Sequence, residues 1–102
     1  MSIVIDTKFE FELNGKKVYP KILKCDLDPE ATKFAIEISI ESLKKYSIEK
    51  DISEYIKEEF DNKYGKFWHV IVGNDFSVSL THNSKFFLFY QIEKLYFALF
   101  KL

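Results

Sequence analysis

An α+β domain with a largely antiparallel sheet is what this sequence predicts, on three observations. An alternating stretch ends in a hairpin turn, two consecutive stretches carry helical periodicity, and a closing run of short strands is set off by turn residues. With 102 residues the chain has the length of one small domain. Hydrophobic residues make up 47% and charged residues 30%, a composition that packs a core and argues against disorder.

Near the N-terminus Phe9, Phe11 and Leu13 alternate with Lys8, Glu10 and Glu12, the period of a half-buried strand. Asn14-Gly15 follows, a strong hairpin signal because both turn positions need positive φ. A return strand through Val18 and Tyr19 runs into Pro20, and Lys21–Leu27 reads as a further extended piece. Asp28-Pro29-Glu30 then starts a helix, with Asp28 as N-cap and Pro29 at the first helical position. That helix should reach about Lys45, with Ala31, Phe34, Ala35, Ile38 and Ser42 on one face, widened by Ile36, Ile40 and Leu43. Ser47 is expected to cap a second helix whose stripe is Ile48, Ile52, Ile56 and Phe60, flanked by Tyr55 and Tyr64. Its other face, Lys50, Asp51, Glu54, Lys57, Glu58 and Asp61, is expected to be solvated, and Gly65 to end it. The remainder reads as strands at Phe67–Val72, Phe76–His82, Lys85–Ile92 and Leu95–Leu102, separated by Gly73-Asn74-Asp75, Asn83-Ser84 and Glu93-Lys94.

Composition excludes several functions. A net charge of −1 leaves no electrostatic footprint for nucleic acid, and all 15 basic residues are Lys, so bidentate phosphate or guanine recognition by Arg is missing. The longest apolar stretch, near Phe86–Tyr90, falls far short of the ~20 residues that span a bilayer. The single Cys25 cannot form an internal disulfide and fits a reducing compartment. With no signal-peptide pattern either, the chain is expected to be soluble and intracellular. His69 and His82 lie on different strands without metal-ligand spacing, and the three glycines at 15, 65 and 73 form no phosphate-cradling loop. No cofactor, metal or catalytic residue is expected, and the carboxylates fall on helix faces where they serve solvation. The expectation is a protein that is not an enzyme.

The stretch Lys45–Gly73, KYSIEKDISEYIKEEFDNKYGKFWHVIVG, resembles the eight-kilodalton dynein light chain family. The block Tyr46–Ile52, then Ile56-Lys57, Glu59-Phe60-Asp61 and Lys63-Tyr64 carry the match, and Trp68-His69 with Ile71-Val72-Gly73 is its most diagnostic piece. Thr81-His82, Lys85, Phe87 and Leu99-Phe100-Lys101 extend it. The resemblance runs from about Pro20 to the end, leaving residues 1–19 as an N-terminal extension with a hairpin and 20–102 as the light chain domain.

That resemblance implies a strand-swapped dimer: the strand Phe76–Thr81 crosses to the partner's sheet, and each of two grooves forms between a swapped strand and a second helix. Extended segments of partner proteins add there as an extra strand, main-chain bonds giving affinity and side-chain pockets specificity. A Thr-Gln-Thr-like core is common in such partners, its Gln held near the helix start, a position that Glu49 and Lys50 match. The groove so implied takes Asn74 and Asp75, the swapped strand Phe76, Ser77, Val78, Ser79, Leu80 and Thr81, and His82 at its end. Phe87, Phe89, Gln91 and Tyr96 supply the sheet side. The implied dimer interface includes His69 facing its symmetry mate, with Ile71, Lys57, Phe76 and Ser79. Two neutral imidazoles tolerate such burial and two charged ones repel, so the dimer is expected to weaken on acidification.

Departures from the family pattern cluster in the groove. Ser77 stands where Gly is usual, Val78 where Ser is, and Ser79 and Gln91 where groove-lining Tyr residues are. Tyr96 replaces a small Ala, and Glu58 reverses a Lys on the second helix. The implied function is a non-catalytic dimeric light chain that binds dynein intermediate chains, or other proteins with short linear motifs, and pairs them side by side. Its implied place is the cytoplasm and cytoskeleton. The rival reading is a dedicated structural subunit of one ciliary or axonemal dynein complex, paired with itself or with a related light chain and without general peptide capture.

Overall fold

The computed structural model describes residues 10–74 and 86–101, apart from the side chains of Phe86 and Phe87. Strands β1 (Phe11–Leu13), β2 (Lys16–Val18) and β3 (Lys21–Cys25) come first, then helices α1 (Pro29–Lys45) and α2 (Glu49–Tyr64). Strands β4 (Trp68–Gly73), β5 (Phe86–Ile92) and β6 (Leu95–Lys101) follow. The expected strand Phe76–His82 and the turn at Asn83-Ser84 lie outside the described residues, as do Lys8 and Phe9. The four-stranded antiparallel sheet therefore takes one strand from before the helices and three from after them, in the order β3-β5-β6-β4.

The β1–β2 hairpin turns on Asn14 and Gly15, at φ of 55° and 78°, the left-handed pair that a two-residue hairpin demands. Phe11 and Leu13 pack their inner faces against the core while Glu12 points to solvent, as alternation requires. Val18, 2% exposed, is the hairpin's deepest anchor. Tyr19 lies beyond β2 and is exposed, so the return strand is one residue shorter than expected. Lys16 reaches from the hairpin to Glu93 at 3.2 Å, a solvent-exposed pair worth less than about 1 kcal/mol. Burial of Val18 outweighs it.

Helix α1 starts as its sequence dictates. Asp28 Oδ1 accepts the Ala31 amide at 2.7 Å, Pro29 fills the first turn, and Lys44 and Lys45 oppose the negative end of the helix dipole. Its buried side is wide: Ala31, Ala35, Ile36, Ile38, Ile40 and Ser42 are all buried, because β1 covers part of it and α2 another part. Ser39 is buried too, donating to the Ala35 carbonyl and sharing a short hydrogen bond with the hydroxyl of Tyr90 across the core. Burial holds that phenol in its neutral form well above the ordinary tyrosine range.

Helix α2 corrects two expectations. Its N-cap is Ile48, not Ser47, and no side chain caps it, because Ile48 already takes the extended conformation and the helix starts one residue later. Ile48 consequently lies outside the stripe, at 60% exposed, while Ile52, Ile56 and Phe60 are buried. Gly65 closes α2 at φ 88°, with its N–H on the Asp61 carbonyl. Fully burying each of these large apolar side chains is worth roughly 1.5–3 kcal/mol. The core they form with Trp68, Leu88, Tyr90, Ile92, Phe97 and Leu99 lies between the helices and one face of the sheet.

Candidate functional site

The sheet has two unlike faces. Trp68, Val70 and Val72 of β4, Leu88, Tyr90 and Ile92 of β5, and Phe97 and Leu99 of β6 belong to the core. Alternation sends His69 and Ile71, Phe89 and Gln91, and Tyr96, Ala98 and Phe100 to the other face. There the register sets Gly73 beside Tyr96 and Tyr96 beside Gln91, with Ile71, Ala98 and Phe89 in the next row. Tyr96 stacks on Phe89 with ring centroids 6.0 Å apart, and His69 stacks on Phe100 at 5.4 Å. Ile71 remains 41% exposed on this face. Gln91 turns its amide to donate to the Glu93 carbonyl at 3.1 Å, which steadies the β5–β6 turn.

Strand β4 is one edge of this sheet among the described residues, and β3 is the other. Residues 65–67 reverse the chain after α2, so β4 runs back along that helix and packs against it. Asp61 secures the packing: its Oδ1 accepts the Trp68 amide at 2.9 Å and its Oδ2 takes Lys57. Desolvation opposes the charge on Asp61, but the hydrogen bonds from Lys57 and the Trp68 backbone, with the fields of Lys57 and Lys66, outweigh it and lower its pKa. The expectation of a solvated Asp61 is thereby corrected; its side chain is 11% exposed because the returning strand covers it. Sequence periodicity missed this contact, since only the chain reversal creates it.

At the other end of α2, Glu49 and Lys50 stand in the exposed first turn. With no side-chain cap on this turn, its leading N–H groups and the positive end of the dipole are open to an acceptor.

Of the residues singled out from sequence, the structure brings Phe89, Gln91 and Tyr96 together with His69 and Ile71 on one sheet face, and sets Asn74 just past the end of β4. Glu49 and Lys50 belong to the helix start, and Lys57 is engaged with Asp61. Phe87 lies in β5. Asp75, Phe76, Ser77, Val78, Ser79, Leu80, Thr81 and His82 lie outside the described residues. Among the described residues no three or more His, Cys, Asp or Glu side chains converge as a metal site, and no helix is long and apolar enough to cross a membrane.

The family profile described as dynein light chain type 1 matches residues 19–102. The chain belongs to the dynein light chain family. It is 40% identical over 85 residues to the cytoplasmic dynein light chain of Emericella nidulans, covering 83% of this chain and 90% of that one. To the cytoplasmic dynein light chain 1 of Debaryomyces hansenii it is 40% identical over 89 residues, covering 87% and 98% respectively. Among solved structures, the dynein light chain-like domain of a calcium-binding protein from Fasciola hepatica superposes with a TM-score of 0.70 at 12% identity. That superposition covers 83% of this chain and 92% of the other, and speaks for the fold. The β1–β2 hairpin of this light chain precedes the region that the family profile matches.

Proposed function

We propose that this light chain is a non-catalytic dimer that binds extended segments of partner proteins by strand addition, dynein intermediate chains among them, and so assists motor assembly in the cytoplasm. The observation that carries the reading is the sheet face of Ile71, Phe89 and Tyr96 ending at an edge strand that runs along a helix whose first turn has no side-chain cap. An edge strand offers main-chain partners to an incoming strand, the apolar face offers area to a second copy, and the open helix start offers N–H groups to a side-chain carbonyl. In this reading Phe76–Thr81 crosses to the partner's sheet, residues 20–102 form the light chain domain, and residues 1–19 are an extension of it.

A second reading has its own observation in its favour. Tyr96 stacks on Phe89 directly opposite Gln91, so a large ring occupies the floor of the proposed groove. A floor filled in this way suits a dedicated subunit of one dynein complex, ciliary or axonemal, that captures no general peptides. Calorimetric titration with a peptide carrying a Thr-Gln-Thr core separates the two. One peptide bound per protomer supports the capture of linear segments. No heat from a protein shown by sedimentation to be a folded dimer supports the dedicated subunit instead.

A further inference from the structure

Strand β3 has one edge open among the described residues, and the hairpin before it is aligned with that edge. Burial alternates without a break through Val18, Tyr19, Pro20, Lys21 and Ile22, even positions inward and odd ones exposed, so β2 and β3 form one extended line through Pro20. Along such a line the side to which N–H and C=O point also alternates. The two-residue turn at Asn14-Gly15 makes Leu13 and Lys16 a hydrogen-bonded pair, so Lys16 and Val18 turn their backbone groups toward β1. The turn at Glu93-Lys94 does the same for Ile92 and Leu95; Ile92 thus faces β6, Gln91 faces β3, and Lys21 faces Gln91. Lys21 lies three positions beyond Val18, so β1 and β5 flank this line on opposite sides. Followed backwards, β1 therefore leads along the open edge of β3, to which Ile22 presents its N–H and C=O.

The sequence that precedes β1 fits that edge. Ile3, Ile5, Phe9, Phe11 and Leu13 are apolar with Thr7 among them, whereas Asp6, Lys8, Glu10 and Glu12 are charged. This is one period-2 alternation, and β1 takes up only its end. Phe11 and Leu13 pack on the core, so the same face of the preceding residues is the apolar one. The hairpin register pairs Phe11 with Val18 and Glu12 with Lys17; continued backwards it brings Lys8 opposite Lys21 and Thr7 opposite Ile22. The irregularity between Ile22 and Lys24 then shifts the count by one residue, which sets Ile5 beside Cys25 and Ile3 beside Leu27, both packed against the core. Pro20 offers no N–H and removes one rung at the junction. We infer that residues 3–9 add to β3 as a fifth strand of the chain's own sheet and close this edge to any incoming strand. Extended, these residues span roughly 23 Å against roughly 17 Å for β3, enough to cover it in full. This assignment does not depend on how the β4 side of the sheet is used.

Amide hydrogen exchange of the full chain, read by nuclear magnetic resonance, tests this. The Lys21 amide faces β5 and the Ile22 amide faces the open edge, so without a covering strand only Lys21 is protected by the sheet. Slow exchange at both is expected, together with a close contact between the α protons of Lys8 and Lys21, which lie opposite each other between hydrogen-bonded rungs. Thr7→Pro removes an N–H directed at Ile22 and should speed exchange at Ile22 roughly tenfold while leaving Lys21 unchanged. Lys8→Pro removes an N–H directed away from β3 and should leave both protected. Lys8→Glu sets opposite charges across the Lys8–Lys21 pair in place of like ones and should slow exchange at Ile22 further. Fast exchange at Ile22 in the parent, or equal effects of the two proline variants, would overturn the proposal. In a mixture of isotope-labelled and unlabelled chains, a Lys8–Lys21 contact within one chain upholds it, and one between copies assigns the strand to a second molecule and overturns it.

Discussion

The Trp68 amide donates to Asp61 Oδ1 at 2.9 Å, fastening the first residue of β4 to the last turn of α2. The carboxylate that accepts it is also held by Lys57 one helical turn earlier. Asp61→Asn keeps the shape but loses the charge assistance, and a loss of about 1–2 kcal/mol is expected in denaturant unfolding. Asp61 is more acidic folded than unfolded, so its contribution is present above the ordinary carboxylate range and fades as pH falls through its lowered folded value. An acid titration of stability should therefore be flatter below about pH 4 in Asp61→Asn than in the parent.

Tyr90 shows the opposite dependence. Its phenol is fully buried and ionises far less readily folded than unfolded, so the stability it contributes is complete below its ordinary value of 10.0 and declines as pH rises beyond it. Tyr90→Phe should cost about 1 kcal/mol at neutral pH through the lost Ser39 hydrogen bond, and should lessen the alkaline decline seen by circular dichroism. Tyr64, raised in the same direction by burial and then by the fields of Glu30 and Asp28, should keep part of that decline in the variant.

Gly65 isolates a purely conformational effect. An added Cβ meets nothing within 4 Å, yet φ is +88°. With ψ at 167° the residue lies outside the left-handed helical region that Asn tolerates, so Gly65→Ala and Gly65→Asn should both destabilise by about 1–3 kcal/mol through backbone strain, measured as a shift in the urea midpoint.

Val18 tests whether the hairpin belongs to the core it touches. Val18→Ala removes two methyl groups from a site 2% exposed, and a loss of about 1–3 kcal/mol in thermal unfolding is expected. A loss below a few tenths would mean that the hairpin contributes no more than a surface loop does.

His69 probes the proposed dimer. It lies stacked on Phe100 on the face assigned to the second copy. His69→Lys, which fixes a positive charge there, should give a monomer in sedimentation at pH 7 where the parent sediments as a dimer. Unchanged mass in the variant would place the copy-to-copy contact elsewhere.

Features legible in the sequence were those decided within a few residues. Asp28-Pro29 names its own helix start because the cap, the ring and the dipole act over one turn, and Asn14-Gly15 names its turn because so few residue pairs accept positive φ twice. Leu88, Tyr90 and Ile92 alternate with Phe89 and Gln91 cleanly enough to separate the two faces of β5. What escaped depends on where distant segments meet. Asp61 looked solvated until β4 folded over it, and Ser39 finds Tyr90 across 51 positions of sequence. Likewise the opposition of Gln91 and Tyr96, which shapes the candidate site most, follows from strand register and not from either residue's neighbours. Ser47 has the chemistry of a cap and lost the position to Ile48 by one residue, a distinction that periodicity does not resolve.

The pairing of Ile22 with Tyr90 has a consequence for biosynthesis. Strand β3 leaves the ribosome early, but the only strand it pairs with among the described residues is made more than half a chain later. At about 5–20 residues per second, several seconds pass before β5 emerges. During that interval β3, including Leu23 at its irregularity, has no sheet to join. The hairpin and the two helices, whose contacts are local, are the parts able to form first. Completion of the sheet is therefore a late event, and the interval before it is when the nascent chain most needs shielding from its neighbours.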